Sequence, residues 1–332
     1  MLSFQRQFGA NTMLSTSYVG TQGHRLLADL ESNPGNPALC LSLSQQGCGP
    51  FGEDGTYTLP SGVMGSTRTV FQNGLGSNGY FITIANSGYN ALQVSLRHTS
   101  QRATILAAYT YSKAMDNASS WGPGVSDAGE QINPINPRLS RSLSAFDLTH
   151  NFVVSYSYML PFDKLFSPNK LTRGWTVTGI TRYTTGLPVT INEQDDNSLL
   201  GTFCTGPTCS VVDTPNFTPG PLNFTDPRSR DADGNPKPYF NTSLFSLEAL
   251  GQLGNSNRRF FHGPGSANWD FGLLKDLPLT ESKKLEFRAE FFNIFNHANF
   301  QLPQGDIINS SFGFVTSASS PRIGQLAVKF LF

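Results

Sequence analysis

The sequence lacks the features that mark several large classes of protein. Its 332 residues contain no stretch of 18 apolar residues, so no transmembrane helix is predicted. Basic and acidic residues are equal in number, 23 each, and this balance indicates neither a nucleic-acid partner nor acidic lipid. The start has neither the charged nor the apolar region of a secretory signal peptide. Such a start is typical of a cytoplasmic protein or of the downstream part of a longer one.

Motifs for catalysis and for cofactors are missing as well. There is no GxSxG motif, and the five histidines do not stand at metal-ligand spacing. Residues 74–79 spell GxGxxG, but no buried strand is predicted before them and no helix after them. Residues 231–235 begin like a calcium loop, yet Pro236 occupies the position that requires glycine, so we expect a solvated turn. We therefore predict that the protein is not an enzyme and binds no cofactor.

The four cysteines form two close pairs, Cys40 with Cys48 and Cys204 with Cys209. Both pairs lie in stretches rich in glycine, proline and serine, which are typical of loops. Neither pair has CxxC spacing and no histidine is near, so zinc is the weaker alternative. We predict two local disulfide bonds in exposed loops, formed in an oxidising compartment.

The sequence does contain alternation of apolar and polar residues, most plainly at its end. Four apolar side chains of the last segment fall on one face: Leu326, Val328, Phe330 and Phe332. The side chains between them are more polar on average, and a period of two indicates a β-strand. The final strand of a transmembrane barrel and the last strand of a soluble sheet both fit this pattern.

Similar alternation predicts nine strands. They cover residues 2–8, 12–27, 89–99, 103–115, 149–160, 175–191, 268–279, 284–297 and 321–332. Their connections alternate in length, with short ones at 9–11, 100–102, 161–174 and 280–283. The other four connections are long. Three of them cover residues 28–88, 116–145 and 192–265, and the fourth precedes the last strand.

This sorting of connections by length favours one architecture over another. Hairpins with short turns on one rim and long loops on the other are typical of outer-membrane barrels. Several segments also reach the 9–11 residues that cross a membrane when tilted. The predicted fold class is therefore all-β: an antiparallel transmembrane β-barrel portion of about nine strands, with short periplasmic turns and long extracellular loops. An antiparallel sandwich with large insertions is the alternative.

Alternation also assigns the faces of the predicted strands. Four charged residues are expected to face the lumen: Arg182, Glu286, Arg288 and Glu290. Leu285, Phe287, Ala289 and Phe291 are expected to face lipid. Six aromatic residues near strand ends would form interfacial girdles: Tyr109, Tyr111, Tyr156, Tyr158, Trp175 and Trp269. Arg288 between two glutamates is read as an ion-pair ladder rather than an acid–base pair.

Several motifs resemble those of one known family. The segment FNIFNHANF at 292–300, followed by a last strand that ends at Phe332, resembles the C-terminal end of TonB-dependent outer-membrane receptors. YVGTQGHRL at 18–26, YTYSK at 109–113 and FDLTHNF at 146–152 look like motifs of the Oar-like branch. The resemblance covers residues 1–332, and the combination is more specific than any single motif.

The resemblance implies a role in transport across the outer membrane. In that family a 22-stranded barrel holds a plug with a TonB box, and the chain would supply strands 14 to 22. It lacks the plug and the first thirteen strands, which puts independent transport in doubt. The implied partners are outer-membrane lipid, the TonB energy-transducing system, the barrel assembly machinery, which would read Phe332 as a signal, and an unknown ligand.

Three other functions are compatible with the sequence. A surface-binding or adhesin-like barrel would bind without transport, and a truncated product would have no function of its own. A soluble carbohydrate-binding sandwich would use a similar alternation of residues without entering a membrane.

Overall fold

A computed structural model describes residues 1–68, 70–71, 75–119, 131–201 and 213–332. One large sheet dominates this part of the chain. Its nine long strands are β1 (Leu2–Phe8), β2 (Thr12–Glu31), β3 (Gly79–Thr99), β4 (Ala103–Asp116), β5 (His150–Met159), β6 (Trp175–Thr184), β7 (Ser266–Pro278), β8 (Lys284–Phe292) and β9 (Ile323–Leu331).

Each strand pairs antiparallel with the next one along the chain, in the order β1 to β9. The predicted number and order of strands are therefore confirmed. Tight turns at residues 9–11, 100–102 and 279–283 join three of the pairs, and a connection that contains the short helix α2 (Phe162–Leu165) joins a fourth. An odd number of antiparallel strands leaves β1 and β9 parallel to each other. Within the described residues no ladder joins these two strands.

Two strands are much longer than the sequence pattern indicates. The predicted loop 28–88 is wrong at both ends, because residues 28–31 of β2 pair with residues 79–82 of β3. The register of the β2–β3 pair shifts between Gly23 and Leu27. Beyond this shift, the extension buries Ala28 and Ala85 against Ile132 of the β4–β5 connection. Contact with a distant segment, rather than local alternation, therefore determines this part of the fold.

Two other strands end earlier than predicted. β6 stops at Thr184 and not at Ile191. Just beyond it, the backbone of Gly186 passes close to Gly263, and a Cβ atom at position 186 would lie only 2.0 Å from the carbonyl oxygen of Gly263. β8 stops at Phe292 and not at His297, because Asn293 takes a left-handed backbone conformation with φ of 52°. Asparagine tolerates this conformation better than most residues.

The described parts of the long connections carry their own small elements. These parts contain the helix α1 (Pro37–Leu43), two 3₁₀ helices (Pro137–Ser140 and Thr242–Leu244) and several two-residue strands. Five apolar residues of the β6–β7 connection form a buried core: Val189, Ile191, Phe240, Phe245 and Phe261. No helix in the described part of the chain is both long and apolar enough to cross a membrane.

Candidate functional site: the polar sheet face and the loop assembly

The pairing register places the four predicted charged residues on one face of the sheet. Glu286 is opposite Asp276, and Arg288 and Glu290 follow on the same side of β8. Arg182 is opposite Asn268, which shares the face of Asp276 on β7. Arg182 lies near the loop end of the sheet and Glu286 near the turn end, so the structure does not bring these two together.

The charged residues of β8 form a ladder of polar contacts. Arg288 Nε donates to Glu286 Oε1 at 2.5 Å, and Arg288 Nη1 lies 3.8 Å from Glu290 Oε1. Gln325 of β9 donates to Glu290 Oε2 at 2.6 Å. Both ion pairs lie within β8, and the hydrogen bond from Gln325 extends the ladder to β9.

The opposite face of the sheet carries aromatic contacts near both ends of the strands. At the loop end Tyr183 packs against Phe152 and Trp269, with ring centroids 6.4 and 5.1 Å apart. At the turn end Trp175 packs against Phe162. Tyr183 follows Trp175 by eight residues, or about 26 Å along a strand. A tilt of about 40° reduces this to about 20 Å, close to the height of the apolar band of a membrane barrel.

Lys275 is an exception on this apolar face. Its ammonium group lies 5.4 Å from the centre of the Trp175 ring and donates to the carbonyl oxygens of Lys170 and Arg173. Those two residues belong to the short β5–β6 connection. The charge of Lys275 therefore reaches polar backbone at the rim of the sheet, as long basic side chains do near membrane interfaces.

Buried arginines connect the long loops to one another. Arg259 Nε donates to Leu143 O at 2.7 Å and Arg259 Nη2 to Ser119 Oγ at 2.8 Å. Arg68 similarly contacts Asp54 at 2.6 Å and donates to Gly201 O at 3.0 Å. The two arginines thus join the β6–β7 connection to the β4–β5 and the β2–β3 connections, and alternation in the sequence contained no signal for these contacts.

The loops also bury carboxyl groups that sequence reasoning missed. Burial, a hydrogen bond to Asp196 and the charge of Asp196 raise the pKa of Glu53 to about 8. Burial, a hydrogen bond to Glu248 and its negative charge raise the pKa of Glu193 to about 9. Burial also raises the pKa of Asp213 to about 7. Each residue lies in a polar stretch that looks like a solvated loop in the sequence.

The remaining predicted site residues occupy different places. Cys40, in α1, and Cys48 are joined by a disulfide bond, whereas Cys204 and Cys209 lie outside the described residues. Phe332 follows β9, is 92% exposed, and stacks its ring 5.8 Å from that of Phe330. Asp231 accepts hydrogen bonds from the backbone of Asp233 and Asn235, so the calcium-like motif forms a hydrogen-bonded turn.

Two of the motifs that resemble a known family lie where strands begin or end, whereas residues 18–26 lie within β2 and residues 109–113 within β4. In residues 292–300 the side chain of Asn293 donates to His297 O and accepts from His297 N, both at 2.9 Å, which shapes the exit from β8. In residues 146–152 Asp147 is buried and accepts a hydrogen bond from Ala114 N at 2.5 Å. These contacts explain why particular polar residues occur where the strands end.

The family of proteins described as outer membrane beta barrel domain matches residues 1–325. The chain belongs to this family. Its membership confirms the predicted all-β barrel fold and the outer-membrane location. A search of curated proteins finds no match.

Solved outer-membrane proteins resemble the chain in structure. The transporter YddB from Escherichia coli aligns with 99% of this chain at 11% identity and a TM-score of 0.48. The siderophore receptor PiuA from Acinetobacter baumannii aligns with 99% at 9% identity and 0.40, and the iron transporter FrpB from Neisseria meningitidis with 99% at 11% and 0.38. The chain spans 31% of YddB, 28% of PiuA and 30% of FrpB.

Proposed function

We propose that residues 1–332 form the C-terminal part of the barrel wall of a TonB-dependent receptor of the Oar-like branch. The complete receptor would take up a ligand across the outer membrane, with a plug and further strands supplied by the rest of the barrel. The motifs at 18–26, 109–113, 146–152 and 292–300 support this assignment. Outer-membrane lipid, the TonB system and the barrel assembly machinery are the partners that the proposal requires.

The two unpaired edges of the sheet carry the proposal. β1 and β9 each have a strand on one side only among the described residues, and both are exposed along nearly their whole length. Unpaired backbone N–H and C=O groups in hydrocarbon cost several kcal/mol each. Because β1 and β9 are parallel, they do not complete the antiparallel pattern by pairing with each other. In the proposed receptor, strands from the rest of the barrel pair with both edges.

The long loops provide the surface on which a ligand would first bind. They lie on the rim opposite the tight turns and carry a network of buried charges and a phenylalanine core. We place the entrance of the transport path here, with the polar face of β6 to β9 lining the lumen. A barrel that binds at its surface without transport would use the same loops, and it is the alternative function.

Transport by the chain alone and by the chain within a longer barrel would test the proposal. The chain is given a signal peptide, and conductance in liposomes is measured with and without the N-terminal portion encoded upstream. We expect no conductance and no TonB-dependent uptake from the chain alone, and ligand uptake from the complete product. Robust conductance from the chain alone would contradict the proposed architecture. Binding to cells without uptake by the complete product would favour the adhesin-like alternative.

A further inference from the structure

Two buried carboxyl groups in the β6–β7 connection lack the partners that burial normally requires. Glu193 is 0% exposed and Glu248 is 5% exposed. Within the described part of the chain, no residue outside the pair donates a hydrogen bond to any of their four carboxyl oxygens. Gly251 N donates to Asn197 O at 2.6 Å, which sets the segment of Glu248 beside the segment of Glu193, and the negative charge of Glu248 acts on Glu193. As carboxylates they would face each other oxygen to oxygen, which is strongly unfavourable in a buried site.

Neighbouring segments of the same connection carry further polar groups. Ile191 N donates to Arg258 O at 2.7 Å, which sets the segment of Glu193 beside the segment of Ser256. Ser256 is 2% exposed, and its hydroxyl has no hydrogen-bond partner among the described residues. Glu193 N also donates to Asp213 O, and the charge of Asp213 adds to the negative potential at Glu193.

We propose that Glu193 and Glu248 together bind a calcium ion that holds the β6–β7 connection in its folded form. A divalent cation between the two groups replaces their repulsion with attraction and uses oxygens that otherwise have no partner. The described residues contain no group of three or more acidic, histidine or cysteine side chains arranged as metal ligands. Neutral oxygens, such as the Ser256 hydroxyl, backbone carbonyls and water, would therefore complete the coordination.

Calcium suits such a site better than magnesium does. Calcium accepts six to eight oxygen ligands in irregular geometry, whereas magnesium requires a nearly ideal octahedron and keeps several waters. A site with only two carboxylates is expected to be weak, with a dissociation constant on the order of 10⁻⁴ to 10⁻³ M, as in extracellular modules. The choice of calcium rests on the proposed function, because that function exposes these loops to the outside of the cell.

Trypsin provides a local test in outer membranes that contain the full chain. Arg258 and Arg259 are buried close to Ser256, so cleavage after them reports opening of this part of the loop. We expect about 10 mM calcium to slow this cleavage about tenfold or more relative to a chelator, while magnesium at the same concentration has little effect. Equal cleavage with calcium and with chelator would overturn the proposal and leave a shared proton as the link between the two carboxyl groups.

Isosteric variants test whether the effect of calcium on cleavage arises at Glu193 and Glu248. Glu193→Gln and Glu248→Gln should each abolish the calcium dependence of cleavage, whereas Glu281→Gln, the same change in an exposed turn, should keep it. An unchanged calcium response in both loop variants would place the cation elsewhere and refute the assignment.

Direct binding is measured with terbium, a luminescent substitute for calcium, on the wild-type chain in detergent. Calcium should displace it and magnesium should not; absence of terbium binding would refute the site even if a variant fails to fold. None of these measurements depends on transport. Failure of the proposed function would therefore leave calcium binding intact, and failure of calcium binding would leave barrel assembly intact.

Discussion

His262 Nε2 lies 2.8 Å from Asp147 Oδ2, and this contact joins two connections that are 115 residues apart in the sequence. A carboxylate only accepts, so Nε2 carries the proton and donates. Asp147 is buried, and its other oxygen accepts from Ala114 N on β4. The pair thus fixes the β6–β7 connection to the end of β4 and the start of β5.

Replacing Asp147 with asparagine should loosen this junction. The amide keeps the shape, but it loses the charged hydrogen bond to His262 and weakens the bond from Ala114, at a cost of about 1–3 kcal/mol. Hydrogen exchange of residues 258–262 should become faster in Asp147→Asn. Asp163→Asn removes a carboxylate from a partly exposed contact with Arg102 at the other rim and should leave these amides unchanged. Equal protection in both variants would contradict a structural role for the pair.

The assignment of faces is tested by placing arginine on either side of the sheet. Phe287 is exposed on the face that we assign to lipid, and Phe287→Arg should destabilise the membrane-embedded barrel by about 2–4 kcal/mol near the midplane. Ser157→Arg, on the polar face, should have a much smaller effect. Urea unfolding of the assembled barrel in lipid gives both values. Equal tolerance of arginine at the two positions would show that the faces are assigned wrongly.

The raised pKa of Glu53 predicts that the loops loosen as pH rises. Asp196 accepts hydrogen bonds from the backbone of Phe51 and Gly201, so the proton of the pair resides on Glu53. Its pKa rises from 4.5 to about 8 on folding. A group whose pKa is higher in the folded state stabilises the fold fully at pH values below its unfolded-state pKa. This stabilisation is lost as the pH rises to the folded-state pKa. Protection of residues 51–54 from exchange should therefore fall between about pH 4.5 and pH 8.

Glu53→Gln should remove this dependence, because the amide donates a hydrogen bond to Asp196 at every pH. Glu281→Gln, in an exposed turn, should keep the wild-type profile. If Glu53→Gln shows the same loss of protection as wild type, other groups are responsible for the pH response.

The Cys40–Cys48 disulfide bond is expected to stabilise α1 and the loop around it. Cys40 is buried within this seven-residue helix, and Leu41 of the same helix lies against Gly251 of the β6–β7 connection. The double variant Cys40→Ser/Cys48→Ser should increase proteolysis of residues 37–58, with a loss of about 2–3 kcal/mol of local stability. Mass mapping of the oxidised protein without reductant should find Cys40 linked to Cys48 and Cys204 to Cys209. Free thiols or crossed pairs would contradict the two predicted disulfide bonds.

Alternation in the sequence was sufficient to determine the barrel-forming sheet. In β8, for example, the residues from Leu285 to Phe291 alternate strictly, and antiparallel pairing with β7 and β9 places the charged and the apolar side chains on opposite faces of the sheet. This success has a simple cause, because lipid on one side and polar contacts on the other impose a period of two along every strand. The short turns are equally local and are visible in the sequence.

Only the tertiary structure decided where the strands end and what the loops contain. Gly79 to Gly88 has no clear alternation, yet it extends β3 because Ala85 packs beneath β2 against Ile132. Val189 and Ile191 continue the pattern of β6, yet they leave the sheet because the phenylalanines of a distant segment bury them. Glu193 and Glu248 are separated by 55 residues in polar sequence, and the packing of that same loop core brings them together. Such contacts depend on chain segments that meet only after folding, so the local periodicity of the sequence does not predict them.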